Sequence, residues 1–396
     1  MGRKHSRGRK ADEMAMHKVP VSRPRPDIEG FLRSMRGERV PDRPPLIEYL
    51  VDGAVMKPVL EDMLGRKWVD APDRTGYMDG RMDPAGEGRA AIDAWLDNQI
   101  AFWLHMGYDF IRIEESLPLP AISQAVRDTA AGNEDRLRTW QGLGTGVIAS
   151  REDFEKYPWP KVEDRCFYIH RCICGRIPDG FGFITCHAGG LFEHVSRLMG
   201  YEGLCIALHD DPDLVRAVAD RLGGLLLQYN RRLLEMPEIS AIFQGEDFGF
   251  NTGTLISPRD IREYFLPWHR KYAALIHAAG KPYYFHSCGK VNDIMEDLIV
   301  DVGIDGKHSF QDDVVPVWEF KERYGARIAV LGGVDVHKLA HDTPEQVRSH
   351  VRKVIDRCAP GGRFAVGAGN SIPSYIPVAN YLAMLDESLS RGGVSP

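Results

Sequence analysis

The chain has 396 residues, of which 43% are hydrophobic and 27% charged, and its formal net charge is −6. This composition is typical of a globular protein, and its slight acidity gives no indication of a nucleic-acid or anionic-membrane partner. No apolar run reaches the ~18 residues that a membrane-spanning helix requires.

The first 26 residues are basic and contain few apolar side chains. They lack the apolar segment of a signal peptide, and we expect residues 1–26 to form a disordered tail. Residues 27–396 are predicted to form a single domain. The seven cysteines are odd in number, which predicts free thiols in a cytoplasmic protein.

Strands and helices alternate in the first half of the chain. Asp211 followed by Pro212 is a typical helix start, with the aspartate as cap and the proline at the first helical position. The predicted elements of this half are strands that begin near residues 44, 109 and 180 and helices at 91–106, 150–159 and 211–235.

The alternation is more regular in the second half. Strands are predicted to begin near residues 241, 282, 303, 327 and 363, and a further helix is predicted at 291–300. Ser257 and Thr343 each begin a capping-box pattern, and Gly280 is a typical helix stop.

Eight strands joined by helices predict an α/β fold with parallel strands, and the count suits a (β/α)₈ TIM barrel. An open doubly wound sheet is the alternative. No G-x-G-x-x-G motif follows any predicted strand, so a dinucleotide site of the Rossmann type has no support.

In a (β/α)₈ barrel the chemistry lies at the carboxyl ends of the strands. The polar residues predicted there are Glu114, Glu246, Asp247, His286, Cys288, Lys307, His308, Asp335 and Asn370.

His286 and Cys288 stand two residues apart at the end of a buried strand, in the run KPYYFHSCG. Side chains at i and i+2 of a strand project to the same face, so an imidazole and a thiol lie side by side. These are two ligands of a tetrahedral zinc site. The alternative is a buried histidine beside an inert cysteine.

Other candidates also have structural interpretations. Glu246 is either a metal ligand or a loop cap at a strand end. Lys307 and Asp335 are either functional or a structural ion pair, His308 is either a proton donor or a packed polar residue, and Asn370 either binds substrate or holds a left-handed turn.

The second half resembles the uroporphyrinogen decarboxylase superfamily. The similar stretches are QGEDFGFNTGTLISPRDIREYFLP at 244–267, YFHSCGK at 284–290, DGKHSF at 305–310, LGGVDV at 331–336 and GAGNSIPSYIP at 367–377. The resemblance implies a distorted (β/α)₈ TIM barrel with a deep cleft, here preceded by an N-terminal extension.

Within this superfamily, the chain is closest in motif to the zinc-dependent methyltransferases that work with a corrinoid. Their signature is H-x-C-G followed by a distant cysteine, often with an acid from an earlier strand. The resemblance implies Zn²⁺ ligands at His286, Cys288 and Glu246, with Asp247 as the other candidate acid. Ala368 stands where the distant cysteine is expected, which leaves the fourth ligand open.

The implied function is transfer of a methyl group from a methylated small molecule, such as an ether or alcohol, to a corrinoid (cobalamin) on a separate protein, as in O-demethylation. The predicted catalytic residues are His308, Asp335 and Asp247, with His308 as proton donor. The predicted substrate-binding residues are Lys307, Asn370 and Glu114. A homodimer is compatible with the sequence.

Two alternatives remain. One is a metal-free carboxy-lyase like uroporphyrinogen decarboxylase itself, although the arginine-rich motif of that branch is missing and Ala368 replaces its histidine between two glycines. The other is a non-catalytic member that only binds a ligand or a partner.

Overall fold

The computed structural model describes residues 18–72, 86, 88–127, 137–141, 144 and 146–390. The strands found there are β1 (Phe110–Arg112), β2 (Ser123–Arg127), β3 (Leu137–Gln141), β4 (Gly182–Thr185), β5 (Ile239–Gly245), β6 (Tyr283–His286), β7 (Gly306–His308), β8 (Ala329–Leu331) and β9 (Phe364–Ala365). β1 and β4 to β9 form a seven-stranded parallel sheet in chain order, and β2 pairs with β3 in an antiparallel ladder.

The predicted first strand lies beside β9. Isolated parallel bridges join Leu46 to Val366 and Val51 to Ile372, although no regular strand forms there. With this segment the curled sheet gives a distorted (β/α)₈ barrel, and the predicted fold class is confirmed.

Helices follow the strands around the sheet. They are α1 (Ile28–Met35), α2 (Gly53–Pro58), α3 (Arg89–His105), α4 (Arg151–Lys156), α5 (Tyr168–Cys174), α6 (Leu191–Met199), α7 (Tyr201–Asp210), α8 (Pro212–Leu234), α9 (Leu266–Ala278), α10 (Val317–Tyr324), α11 (Val336–His341), α12 (Pro344–Cys358) and α13 (Val378–Ser390). The predicted caps are confirmed, because Asp211, Ser257 and Thr343 each accept a backbone N–H of the turn that they begin.

Some local elements differ from the predictions. The helix predicted at 291–300 is a 3₁₀ turn at Asn292–Ile294 and a π-helical turn at Asp297–Val302. The β2–β3 pair was not predicted, since neither segment shows the apolar–polar alternation of a half-buried strand.

Residues 18–26 belong to the segment that we expected to be a tail. Val19 is fully buried, and the backbone N–H of Val21 donates to the carbonyl of His105 on α3. Residues 1–17 lie outside the described part of the chain, so the division into a tail and a single barrel stays a prediction.

The barrel interior is filled by apolar side chains. Ile184, Phe243, Tyr284 and Leu331 from the strands pack with Phe31 of α1 in one buried cluster. Since this cluster fills the interior of the barrel, polar chemistry is left to the carboxyl ends of the strands.

Candidate metal centre and active site

Three predicted site residues meet where β5 and β6 end. Gly245 of β5 pairs with His286 of β6, so Asp247 and Cys288, each two residues further along, also come together. The backbone N–H of Cys288 donates to Asp247 Oδ1 at 2.9 Å. One ligand atom from each of Asp247, His286 and Cys288 lies within 4.8 Å of the other two.

The distances in this cluster suit a small cation. His286 Nε2 lies 3.3 Å from Cys288 Sγ and 3.6 Å from Asp247 Oδ1. Ligands at bond lengths of 2.0–2.3 Å around tetrahedral zinc are ~3.5 Å apart. The three side chains therefore fit one face of such a site, with an imidazole, a thiol and a carboxylate as donors.

Burial sets the protonation of two of these groups. Burial, aided by the neighbouring His308 ring, lowers the pKa of His286 well below its ordinary value, so the imidazole is neutral, as a metal ligand must be. Burial and the Asp247 carboxylate raise the pKa of the Cys288 thiol to about 12. A bound cation would reverse this effect, because it stabilises the thiolate.

Two neutral side chains hold the cluster in place. The Asn370 amide N–H donates to Cys288 Sγ at 3.2 Å. The Tyr49 ring stacks on the His286 imidazole with 4.0 Å between ring centroids and 20° between planes. Asn370 is a predicted substrate-binding residue, and its contact with the thiol places it at the edge of the metal cluster.

Glu246, the predicted acidic ligand, lies outside the cluster. Its fully buried carboxyl accepts the backbone N–H groups of Leu191 and Phe192 at the start of α6, at 2.6 and 2.8 Å, and contacts His269 Nε2 at 2.8 Å. Burial raises the pKa of Glu246 to about 8, although the backbone N–H groups oppose this shift. The structure thus groups Asp247, and not Glu246, with His286 and Cys288.

His308 is fully buried behind His286. Its Nδ1 lies 2.7 Å from His286 Nδ1, and its Nε2 lies 3.0 Å from the carbonyl oxygen of Ala368. Burial lowers the pKa of His308 to about 3. A neutral ring with both nitrogens engaged supports His286 better than it serves as the predicted proton donor.

Lys307 and Asp335 do not pair in the described structure. Lys307 is buried, donates to the carbonyl of Ser309 and lies over the Phe310 ring at 4.4 Å. Burial lowers the pKa of Lys307 to about 8. Asp335 caps α11 by accepting the Lys338 backbone N–H at 3.1 Å. Of the predicted residues, these two lie beside the cluster rather than in it.

Glu114 lines a cleft with three indole side chains. Its carboxylate accepts from Arg112 Nη2 at 3.0 Å and from the Tyr49 hydroxyl at 3.4 Å. The indole cleft has a volume of about 400 Å³. The tryptophans that line it are Trp68, Trp95 and Trp103. Tyr49 therefore lies between the His286 ring and the carboxylate at this cleft.

A second cleft of about 430 Å³, the polar cleft, adjoins the other side of the cluster. It is lined by Asp335, His337, Asn370, Ser371 and Tyr375, among others. Asn370, which lines this cleft, also contacts the Cys288 sulfur.

The sequence profile of the family described as uroporphyrinogen decarboxylase (URO-D) matches residues 145–388, more than half of the chain. The chain belongs to the URO-D family. The resemblance drawn from the strand-end motifs is thereby confirmed.

One protein of similar sequence is the methylated-thiol–coenzyme M methyltransferase of Methanosarcina mazei, which is 28% identical over 200 residues. The alignment covers 48% of this chain and 49% of that protein, so the chain spans about half the length of the relative that it matches. A solved methyltransferase from Methanosarcina mazei superposes with a TM-score of 0.66 at 16% identity, covering 92% of this chain and 99% of that one. This second likeness shows a shared fold.

In this URO-D family chain, sequence reasoning missed Glu48, Tyr49 and Arg112. Arg112 was detectable, since a lone arginine in an apolar strand indicates a buried charge with a partner. Glu48 and Tyr49 lie in a short run without clear alternation, so their inward direction was not predictable. Among the described helices, none is both long and apolar enough to cross a membrane.

Proposed function

We propose that the protein is a metal-dependent methyltransferase that moves a methyl group from a methylated small molecule to a corrinoid carried by a separate protein. The observation that carries this proposal is the meeting of Asp247, His286 and Cys288 at the carboxyl ends of β5 and β6. The name of the Methanosarcina mazei relative supports methyl transfer as the reaction class.

Zinc is the metal that best suits this donor set, and when bound it would supply Lewis acidity at the leaving atom of the methyl donor. A site with a single thiolate leaves the metal more electrophilic than one with two thiolates. Asp247 would supply a carboxylate as the third donor, and Ala368 leaves the site without a second thiolate. We therefore favour an ether or alcohol oxygen as the leaving atom.

The chain's own residues provide the surroundings of the transfer. Asn370 holds the Cys288 sulfur by an N–H contact, and the Cys288 backbone N–H orients the Asp247 carboxylate. The side chain of Asp247, a predicted catalytic residue, is 39% exposed, so solvent and substrate can reach it. Glu114 and Asn370 remain the proposed substrate-binding residues, one at each cleft.

Two other functions have specific support. The name of the Methanosarcina mazei relative indicates a methylated thiol as donor, which the same cluster could accommodate with sulfur as the leaving atom. The family's name indicates a carboxy-lyase. Against the lyase, the described residues that line the indole cleft include Asp52, Asp70 and Glu114 but a single cation, Arg112, which is a poor surface for a polycarboxylate.

The test is a methyl-transfer assay with reduced cobalamin as acceptor and three donor classes: methoxylated arenes, methanol and methylated thiols. We expect activity with a methoxylated or alcohol donor, and a loss of at least about 10-fold in Cys288→Ser. Cys205→Ser on α7 is the matched control and should keep the wild-type rate. An unchanged rate in Cys288→Ser, or metal-independent release of carbon dioxide from an acid, would contradict the proposal.

A further inference from the structure

A line of buried polar contacts leads from Glu48 to the metal cluster. Glu48 Oε1 accepts the backbone N–H of Ala368 at 3.0 Å, and the carbonyl of Ala368 lies 3.0 Å from His308 Nε2. His308 Nδ1 then lies 2.7 Å from His286 Nδ1. The first three residues are fully buried and His286 is 4% exposed, so solvent does not compete for these contacts.

The Ala368 carbonyl sets the direction of the two hydrogen bonds that follow it in this line, at His308 and at His286. A carbonyl only accepts, so His308 Nε2 must carry the proton. His308 is fully buried, and no carboxylate among the described residues contacts its ring, so nothing there would hold a second proton. Its Nδ1 is therefore the acceptor for the N–H at His286 Nδ1. The lone pair of His286 is then at Nε2, the atom that lies 3.3 Å from Cys288 Sγ.

Glu48 holds the Ala368 peptide in place, and the order of hydrogen bonds through the two histidines begins at that peptide. Its carboxyl is fully buried, and Oε2 has no hydrogen-bond partner among the described residues. The turn is packed tightly against it, because a Cβ at Gly367 would lie 1.7 Å from the Ile47 carbonyl oxygen and 3.1 Å from Glu48 Oε1. A buried carboxyl is costly to keep, so a positioning role gives it a physical reason.

We infer that Glu48 is a positioning residue which, through the Ala368 peptide and His308, presents the Nε2 lone pair of His286 to a metal ion. This inference rests on the proposed metal site and deepens it. It also gives a role to the backbone of Ala368, at the position where the sequence motif predicts a cysteine side chain.

The first test is a titration of the purified full chain with Co²⁺, followed by the visible absorption of the bound ion. We expect Glu48→Leu to weaken Co²⁺ binding by about 10-fold and to alter the spectrum, as loss of an outer contact to a ligating histidine does. Glu48→Gln keeps an acceptor oxygen and should bind as the wild type does. Thr185→Val, which removes a buried hydrogen bond to the Ile113 carbonyl, is the matched stability control and should also bind normally.

The second test uses the wild-type protein, so it does not depend on whether Glu48→Leu folds. Long-range ¹H–¹⁵N correlation spectra of ¹⁵N-histidine-labelled, metal-free protein report which ring nitrogen carries the proton. We expect the Nδ1–H form at His286 and the Nε2–H form at His308. The reverse pair of tautomers would overturn the inference.

The outcomes separate the inference from the proposal on which it rests. Failure of the wild type to bind Co²⁺ would overturn the metal site itself. Normal Co²⁺ affinity in the wild type with unchanged affinity and spectrum in folded Glu48→Leu would overturn only the role of Glu48. Weakened binding in Glu48→Leu together with wild-type binding in Glu48→Gln would support it.

Discussion

Adjacent acids at the end of β5 serve different parts of the molecule. Glu246 turns inward to the first backbone N–H groups of α6 and to His269, whereas Asp247 turns to Cys288 and His286. A carboxyl at a helix start satisfies donors that otherwise have no partner and complements the helix dipole. Glu246 is therefore a structural acceptor that ties α6 to the sheet.

We expect Glu246→Gln to lower the free energy of unfolding by about 1–2 kcal/mol. The amide NH₂ of glutamine would face one of the backbone N–H groups that donate to the carboxyl, and two donors cannot pair. Metal content should stay normal in this variant. Asp247→Asn should show the opposite pattern, with reduced metal content and little change in stability. Denaturant unfolding and elemental analysis of both variants measure this difference, and loss of metal in Glu246→Gln alone would contradict it.

The sequence identified both acids as candidates but did not distinguish them. His286 and Cys288 were predictable as neighbours because the period of a strand places i and i+2 on one face. Glu246 and Asp247 point apart for the same reason, and which of them faces the cysteine depends on the pairing of β5 with β6. The paired residues Gly245 and His286 are 41 apart in the chain, so this pairing is a tertiary property that no local pattern contains.

At the scale of elements, the turn after β8 packs closely against Ala368 and His308. Gly332 has a φ of 81°, and a Cβ there would lie 2.2 Å from the Ala368 carbonyl oxygen and 2.9 Å from the His308 ring. Gly361 has a similar φ of 79° but nothing within 4 Å of its added Cβ. The two positions share a left-handed backbone, but Gly332 is buried in close contact and Gly361 is exposed.

We expect Gly332→Ala to destabilise the protein by about 3 kcal/mol, since backbone strain and a steric clash add together. Gly361→Ala carries the strain only and should cost about 1 kcal/mol. Thermal or urea unfolding of the two variants measures the difference. Equal losses would show that contact with Ala368 and His308 does not restrict position 332.

The end of α9 is tied to the loop before β7 by a half-exposed pair. His277 Nε2 lies 2.8 Å from Asp305 Oδ2, and this hydrogen bond raises the pKa of His277 although partial burial opposes it. A raised folded-state pKa means that the pair stabilises the protein below the ordinary histidine pKa of about 6.5. The stabilisation from this pair is lost as the pH rises through the folded-state pKa of His277.

We therefore expect the wild type to be more stable than His277→Asn at low pH, with a gap that closes as the pH rises above about 6.5. The gap should be at most about 0.5 kcal/mol, because solvent screens a pair this exposed. Unfolding midpoints measured across this pH range at low salt give the comparison. A gap that widens with rising pH would contradict the assignment.

Helix starts were predictable because their signals are local. Asp211, Ser257 and Thr343 each accept a hydrogen bond within three residues along the chain, so residue type and spacing suffice. The π-helical turn at Asp297–Val302 was read as α-helix, since one extra residue in a turn changes the apolar spacing very little.

At the scale of the whole molecule, the order of strands was predictable but the closure of the barrel was not. Seven of the eight predicted strands form the parallel sheet, and each begins within three residues of its expected position. The eighth, near residue 44, is reduced to bridges with the far end of the chain at Val366 and Ile372. Contacts across more than 300 residues decide that geometry, and a local pattern does not contain them.

This closure also brings distant residues to the candidate site. Glu48 and Tyr49 come from the first strand region, His286 and Cys288 from the middle of the chain, and Asn370 from the loop after β9. All of them meet at the carboxyl ends of the strands, where a (β/α)₈ barrel places its chemistry. The proposed function therefore depends on a metal ion at that end of the barrel.

The most direct measurement is the metal content of the purified wild-type chain, expressed in zinc-replete medium, beside His286→Ala and Cys288→Ser. We expect about one zinc per wild-type chain and little or none in either variant, because each removes a ligand of a tetrahedral site. Cys205→Ser should retain the wild-type content. A wild-type chain without metal, or folded variants that keep the zinc, would contradict a metal centre at Asp247, His286 and Cys288.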